Sequence, residues 1–318
     1  MACYHPMLAK QYGFTASGAP NYKIIRKASF GISDLESDDM IEVPCGKCIG
    51  CRLDYSRQWA DRLMLELDHS KRALFLTLTY DDENLRIAGA GYPTLVPHDM
   101  VLFVRRLRRA YPDREVRYFY SGEYGDKTFR PHYHGIFFDL ELGDIKDLSF
   151  YKNNRDGSPL YISEILSALW GLGYVVIGSV SWHTCAYVAR YVLKKLGGDA
   201  AEVYTDRDMV KPFSRQSRRP GIAGYFLQDN PDFLDSHLFI KDTETVRPVK
   251  RITAPKYILK KLEKVAPEWY ASIKEERARF ARDRDLIKLM ETDLFQYDLR
   301  KVEEADTRCK MRSFRDKI

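Results

Sequence analysis

The sequence predicts an α+β fold: an antiparallel sheet with helices on one face, an N-terminal cysteine-rich segment and a C-terminal helical region. Three observations lead there. Apolar periodicity between residues 73 and 180 switches in the order β-α-β-β-α-β, a ferredoxin-like or split βαβ arrangement. The two central strands lie close enough to pair as a hairpin. The flanks differ in composition, with Cys45, Cys48 and Cys51 before the core and a mixed-charge stretch after residue 259.

Residues 1–50 read as irregular, with one extended run from Ile41 to Val43. Arg52–His69 reads as a helix, with Trp59, Leu63 and Leu67 on one stripe. Ala73–Tyr80 is a strand that alternates Phe75, Thr77 and Thr79 with Leu74, Leu76 and Leu78. Pro97–Tyr111 is a helix whose stripe is Met100, Phe103, Val104, Leu107 and Tyr111, with Arg105, Arg106, Arg108 and Arg109 mostly off it. Val116–Tyr120 is the second strand and runs into Ser-Gly-Glu-Tyr-Gly, a turn or strand end; His132–Phe138 is the third. A helix beginning between Tyr151 and Leu160 ends near Trp170 and is clearest over Ile162–Leu169. Tyr174–Val180 is the fourth strand, and Trp182–Lys195 is a helix stopped by Gly197 and Gly198. Residues 199–258 read as loops with short strands, residues 259–300 as charged helix, and the last stretch as helical or frayed. The expected domains are 1–70, 71–198, 199–258 and 259–318.

Charged residues at 30% and hydrophobic residues at 45% exclude a wholly disordered chain. No apolar run approaches the roughly 18 residues of a membrane span, and MACYHPMLAK lacks the apolar core of a secretion signal. The net charge of +6 permits a nucleic-acid partner without requiring one. Its local placement is more telling: Arg105, Arg106, Arg108, Arg109, Arg215, Arg218 and Arg219 could neutralise phosphates, and Tyr118, Tyr124 and Tyr225 could stack on bases.

Two constellations carry chemistry. In Pro131-His132-Tyr133-His134-Gly135 the histidines stand at i and i+2, so a strand presents both imidazoles on one face. A carboxylate would complete a divalent-cation site. Glu123 is the best candidate, because the hairpin brings it back across from the histidines; Asp81 and Asp82 are alternatives whose plainer role is to end a strand. In the second constellation, Tyr187 and Tyr191 are four apart and share a helix face, with Lys194 and Lys195 continuing near it. Cys185, Val188 and Val192 point elsewhere and would dock the helix. A phenol oxygen beside a divalent ion can attack a phosphodiester, although paired tyrosines also serve plain packing. Separately, Cys45, Cys48 and Cys51 at C-x₂-C-x₂-C spacing suit a structural Zn²⁺, with Cys3 as first choice of fourth ligand and His5 as second; an iron–sulfur cluster and free thiols are the other readings. Three thiols so placed point to metal chemistry in a reducing compartment.

Phe75-Leu-Thr-Leu-Thr79, His132-Tyr133-His134 and Tyr187-Val-Ala-Arg-Tyr191-Val-Leu-Lys194-Lys195 occur in the order of a known family. Together they resemble the HUH endonucleases, and among these the two-tyrosine replication initiators of small single-stranded DNA bacteriophages, most like the gokushovirus branch of the microviruses. The cysteine cluster and Ser217-Arg-Arg-Pro-Gly221 extend the resemblance over about residues 1–225. The resemblance implies a metal-dependent DNA endonuclease and strand transferase. His132, His134 and, by analogy, Glu123 would bind Mg²⁺ or Mn²⁺. One of Tyr187 and Tyr191 would nick the origin, keep the 5′ phosphate and release a 3′-OH; the other would act after a round of synthesis, when the displaced strand is closed into a circle. Lys194 or Lys195 would contact the scissile phosphate or assist proton transfer. The implied partners are single-stranded and supercoiled origin DNA, a host helicase and a host polymerase, in the bacterial cytoplasm. No G-x-x-x-x-G-K-[S/T] loop is present for a helicase of the chain's own. Two other readings remain at this level: an HUH relaxase of another mobile element, and a zinc-containing DNA-binding regulator without catalysis.

Overall fold

The computed structural model describes residues 3–14, 20–25, 40–125, 128–154, 157–194, 199–241 and 248–315. The chain divides into two compact units, Met1–Tyr55 with Arg277–Ile318, and Ser56–Glu276.

In the first unit, β1 (Met7–Phe14), β2 (Pro20–Ile25) and β3 (Met40–Val43) form an antiparallel sheet in the order β2-β1-β3. The extended run expected at Ile41–Val43 is β3, and the expectation of irregular chain elsewhere before residue 50 is corrected by β1 and β2. These strands are largely exposed and their apolar residues do not alternate regularly with polar ones, so the pattern that marks a half-buried strand is weak. Helix α1 (Ile49–Ser70) follows, and the division between the units falls within it.

The second unit is built on β4 (Ala73–Tyr80), α2 (Pro97–Ala110), β5 (Arg117–Tyr124), β6 (Pro131–Phe138), β7 (Ser149–Asn153), β8 (Pro159–Ile162), α3 (Glu164–Trp170) and β9 (Gly173–Ser179). It continues with α4 (Trp182–Lys194), α5 (Asp199–Asp206), β10 (Phe213–Gln216), α6 (Phe226–Asp229), β11 (His237–Lys241), β12 (Pro248–Thr253) and α7 (Lys256–Val265). Helices α8 (Pro267–Met290), which again crosses the division, and α9 (Gln296–Arg315) complete the chain. The last stretch is thus helical through Arg315.

The main sheet has seven strands, all antiparallel, in the order β10-β5-β6-β4-β9-β8-β7. Its centre, β5-β6-β4-β9, is the ferredoxin-like order expected from the sequence. Ser121–Tyr124 is strand end, one of the two forms expected for it, and pairs in the ladder. Two stretches differ. The helix before β9 starts at Glu164, where Ser163 caps it by accepting a hydrogen bond from the Leu166 N–H at 3.0 Å. The residues ahead of it form the β7–β8 hairpin. Residues 199–206 are helix α5, not loop.

The crossover helices α2 and α3 lie together on one face of the sheet. There Leu74, Leu76 and Leu78 meet Met100, Phe103, Leu107, Leu166 and Trp170. Tyr133 is wholly buried in this layer. Its hydroxyl donates to the Val96 carbonyl at 2.9 Å, accepts the Val96 N–H at 3.0 Å and meets the Tyr80 hydroxyl at 2.9 Å. The Tyr80 hydroxyl donates to Asp99 Oδ2 at 2.8 Å, and burial raises the pKa of both phenols. The middle residue of His-Tyr-His is therefore an anchor that ties β6 to the start of α2. By the alternation of a strand, it turns both histidines to the opposite face. On that face α1 and α4 pack through Trp59, Leu63, Cys185, Val188 and Ala189 against Phe119, Ile136 and Phe138.

Candidate active site

The register across β5, β6, β4 and β9 determines the site. Glu123 stands opposite His132, His132 opposite Thr79, and Thr79 opposite Tyr174. In the next row of that face, Ser121 stands opposite His134 and His134 opposite Thr77. Directly opposed residues of an antiparallel pair share a face. Strand alternation and one hairpin thus gather Glu123, His132, His134, Thr77 and Ser121.

Glu123 is 2% exposed. Its Oε1 lies 3.4 Å from His134 Nε2 and 3.7 Å from His132 Nε2. A divalent ion with ligand distances near 2.1 Å separates adjacent ligand atoms by about 3.0–3.5 Å, so this spacing suits a shared cation. The other ring nitrogens reinforce that fit. His132 Nδ1 lies 3.0 Å from the Arg130 carbonyl, which only accepts, so Nδ1 carries a proton and it is Nε2 that offers the lone pair of the neutral ring to a cation. His134 Nδ1 pairs with the Thr77 hydroxyl at 2.9 Å, and Phe75 stacks on the His134 ring at 5.6 Å and 10°. Partners of this kind orient metal-ligating histidines. Thr77 is visible in the sequence only as one of three residues alternating with leucines, and Ser121, a buried hydroxyl in the same cluster, gives no signal there.

Asp81 and Asp82 are used elsewhere. Asp81 accepts from the Asn84 N–H at 2.8 Å and from its amide, and Asp82 pairs with Arg130 at 2.6 Å. They end the strand, and the carboxylate of the cluster is Glu123.

Helix α4 brings the tyrosine. Ser181 and Thr184 cap its start reciprocally: Ser181 Oγ accepts the Thr184 N–H at 3.3 Å, and Thr184 Oγ1 accepts the Ser181 N–H at 3.4 Å. Fully buried Cys185, Val188 and Ala189 dock the helix, and burial raises the Cys185 thiol pKa. The Tyr187 ring meets the His134 ring edge-on at 5.8 Å and Phe75 at 6.3 Å, while 37% of the residue stays exposed. Tyr191 and Lys194 follow on α4, but their side chains, like that of Val192, lie outside the described residues, as does Lys195 entirely.

Comparison with known proteins places this geometry in a family. Residues 73–196, from β4 through α4, match the profile of the replication-associated protein family of the ORF2 type. The chain is 32% identical to the replication-associated protein ORF2 of Spiroplasma virus 4, over 89% of this chain and 87% of that one. The chain belongs to the ORF2-type family of replication-associated proteins. Replication-associated protein VP4 of Bdellovibrio phage phiMH2K is 37% identical over 62% of this chain and 59% of its own length. Replication-associated protein ORF4 of Chlamydia phage 1 is 30% identical over 71% and 55%. No solved structure matches.

In this replication-associated chain, a second cluster lies in the first unit. Cys3, Cys45, Cys48 and Cys51 bring their sulfurs within 4.8 Å of one another. Cys3 Sγ and Cys48 Sγ are 3.8 Å apart, which matches the tetrahedral edge of about 3.8 Å set by Zn–S bonds near 2.3 Å. Backbone N–H groups point at the sulfurs, Cys45 to Cys3 at 3.3 Å, Cys48 to Cys45 at 3.3 Å and Tyr4 to Cys48 at 3.4 Å. Burial raises the pKa of Cys3 and Cys51. At Cys48 burial acts the same way but is outweighed by hydrogen bonds from Cys51 and Tyr4, which bring it down to about 6. The alternative ligand, His5, is engaged with Glu304 at 2.6 Å. The four thiols can hold a soft metal ion.

Several basic and aromatic candidates prove to be braces. Arg106 donates to the Leu169 and Trp170 carbonyls, and Arg108 to that of Val116. Tyr124 is buried and donates to the Val210 carbonyl at 2.7 Å, and Tyr225 stacks on His69 at 4.5 Å. Arg215, Arg218 and Arg219 remain exposed. The chain just after them is clamped, with Arg117 paired to buried Glu66 and donating to the Pro220 and Gly221 carbonyls, and Arg62 donating to that of Ile222. Among the described residues no helix is long and apolar enough to cross a membrane.

Proposed function

We propose that the chain is a rolling-circle replication initiator that nicks origin DNA through a tyrosine and later rejoins the displaced strand. The observation that carries this reading is the Glu123–His132–His134 cluster with the Tyr187 ring against His134. Mg²⁺ or Mn²⁺ held by those three side chains would polarise the scissile phosphate and stabilise its developing charge. The carboxylate oxygen suits either ion, and imidazole nitrogen is accepted more readily by Mn²⁺ than by the harder Mg²⁺.

The Tyr187 hydroxyl oxygen attacks phosphorus. A P–O bond to tyrosine forms, the P–O3′ bond breaks, the phenol proton is lost and the leaving oxygen is protonated to a 3′-OH. One phosphodiester is exchanged for another, so no external energy source is needed. The phenol loses its proton reluctantly at neutral pH, its free pKa being about 10; Lys194 or Lys195 is assigned to phosphate contact or proton transfer. After a round of synthesis Tyr191, one turn along the same helix, attacks the regenerated origin. The freed 3′-OH then attacks the first phosphotyrosine, closes the circle and restores Tyr187. The order of the two tyrosines is interchangeable in this scheme.

The same reading makes the chain an initiator of a small single-stranded DNA bacteriophage of the gokushovirus type. Its relatives in two phages and in Spiroplasma virus 4 support this. It works in the host cytoplasm on single-stranded and supercoiled origin DNA, with a host helicase and polymerase, and the four cysteines hold a structural Zn²⁺.

The test is nicking of circular single-stranded and supercoiled DNA bearing the authentic origin, in Mg²⁺ or Mn²⁺. Tyr187→Phe, Tyr191→Phe and the double variant run alongside. Metal-dependent scission with protein on the 5′ end, lost in the double variant, is expected. Scission at a transfer origin instead would mark a relaxase. Binding without scission, unchanged in the double variant, would leave a DNA-binding regulator.

A further inference from the structure

The face that carries the metal cluster is covered unevenly. Helix α4 packs against β5, β6 and β10. On the other side of the histidines, toward β9 and β8, the described residues leave the same face exposed. Tyr174 of β9 is 65% exposed there, and Ile162 of β8 is 40% exposed, with half-buried Val176 opposite it.

Tyr174 is held in line with the cluster. It stands opposite Thr79, which stands opposite His132, which stands opposite Glu123. Thr79 Oγ1 reaches the Tyr174 carbonyl at 3.5 Å. Gly173, just before it, lies so close to the Thr79 carbonyl and the Asp81 N–H, at φ +142°, that any side chain would collide with backbone. The start of β9 is therefore pressed onto the end of β4, and the phenol ring rises from a rigid strand. Two strand spacings separate it from His132, about 10 Å.

We propose that Tyr174 is a stacking platform for a base of the single-stranded DNA, about one or two nucleotides from the scissile phosphate. The inference rests on the replication-initiator reading and adds the path of the strand. With α4 over one half of the face, a strand whose phosphate reaches Glu123, His132 and His134 runs over the exposed half. The first exposed ring it meets there is Tyr174. Exposed aromatic surface is disfavoured in water and stacks on any base, because every base has a π face.

The experiment measures binding of the full chain to a fluorescein-labelled thymidine homopolymer of about 20 nucleotides by anisotropy, without divalent ions so that no scission occurs. Tyr174→Ala is expected to weaken binding about 5- to 100-fold, with Tyr174→Phe binding as the unaltered chain does. The slope of log K against log salt should not change, because no phosphate contact is removed. The side chain is exposed, so thermal melting should match for all three proteins. Equal binding by Tyr174→Ala and the unaltered chain would overturn the stacking role and leave the initiator reading untouched. Weak binding by Tyr174→Phe as well would also overturn it, assigning the effect to the hydroxyl. An unaltered chain that binds no single-stranded DNA would overturn both.

Discussion

Thr77→Val isolates the contribution of one hydroxyl to the metal centre. Valine keeps the shape and the strand preference of threonine and removes only the Oγ1 that lies 2.9 Å from His134 Nδ1. The loss of one half-buried hydrogen bond costs about 1 kcal/mol of stability, so the fold survives. The effect on metal binding is larger. Ligation through Nε2 requires the proton on Nδ1, where the Thr77 hydroxyl can accept it; without that acceptor the ligating tautomer loses a hydrogen bond and the tautomer with Nε2 protonated gains ground. That tautomer aims an N–H at Glu123 Oε1, 3.4 Å away, and cannot ligate a cation there. Phe75 still stacks on the ring, so its plane is retained and only the tautomer and tilt are released. Loss of such a partner costs about 10- to 100-fold in metal affinity, or about 1.4–2.7 kcal/mol. The assay is Mn²⁺ titration by electron paramagnetic resonance, paired with the Mn²⁺ dependence of nicking. Half-saturation should move to higher Mn²⁺ by that factor, with most of the rate recovered at saturation, and Thr77→Ser should behave as the unaltered chain. If Thr77→Val binds Mn²⁺ unchanged while His134→Ala loses it, the hydroxyl does not set the tautomer and the argument fails.

Other perturbations have equally definite outcomes. Tyr133→Phe keeps the buried ring but removes the hydroxyl that serves Val96 and Tyr80; urea unfolding should show a loss of about 2 kcal/mol, and an unchanged midpoint would contradict the anchoring role. Asp147 accepts from Ser163 Oγ at 2.5 Å and from the Ile165 N–H at 2.8 Å, and these bonds, led by the one from Ser163, hold its carboxyl below the ordinary range. A depressed folded pKa stabilises above the unfolded value, near 4, and is lost as pH falls through the folded one. Asp147→Asn should therefore be less stable at neutral pH and lose less on acidification, as followed by thermal melting from neutral pH downward. Chelation or Cys45→Ser should remove one equivalent of zinc per chain, by mass spectrometry of the metal, and speed amide hydrogen exchange in β1 and β3. Exchange that is indifferent to the metal would separate the cysteines from the stability of that sheet.

Features of short range in the chain were legible before any coordinates. The two-residue spacing of His132 and His134 required only strand geometry, and the Phe75–Thr77–Thr79 alternation marked the facing side of β4. The hairpin was readable from its length, and with it Glu123 opposite His132. The docking of α4 through Cys185 and Val188 followed from helical periodicity. What failed was strand assignment in β1, β2, β7 and β8, which lack the contrast of a buried face.

The sequence by itself nominated the candidate site residues and the strand face shared by His132 and His134, because periods of two and near four are local properties of the backbone. Only the tertiary structure decided between candidates that are alike in type and distant in sequence. His5 was the second choice of ligand after Cys3, and Glu304, nearly 300 residues away, engages it. Asp81 and Asp82 were alternatives to Glu123, the best candidate, and Asn84 and Arg130 occupy them. Thr77 became the partner of His134, and Arg106 and Arg108 became braces for carbonyls, through ladder register and helix packing. Such choices rest on which groups fold against each other over long separations, and residue types along the chain do not encode that locally.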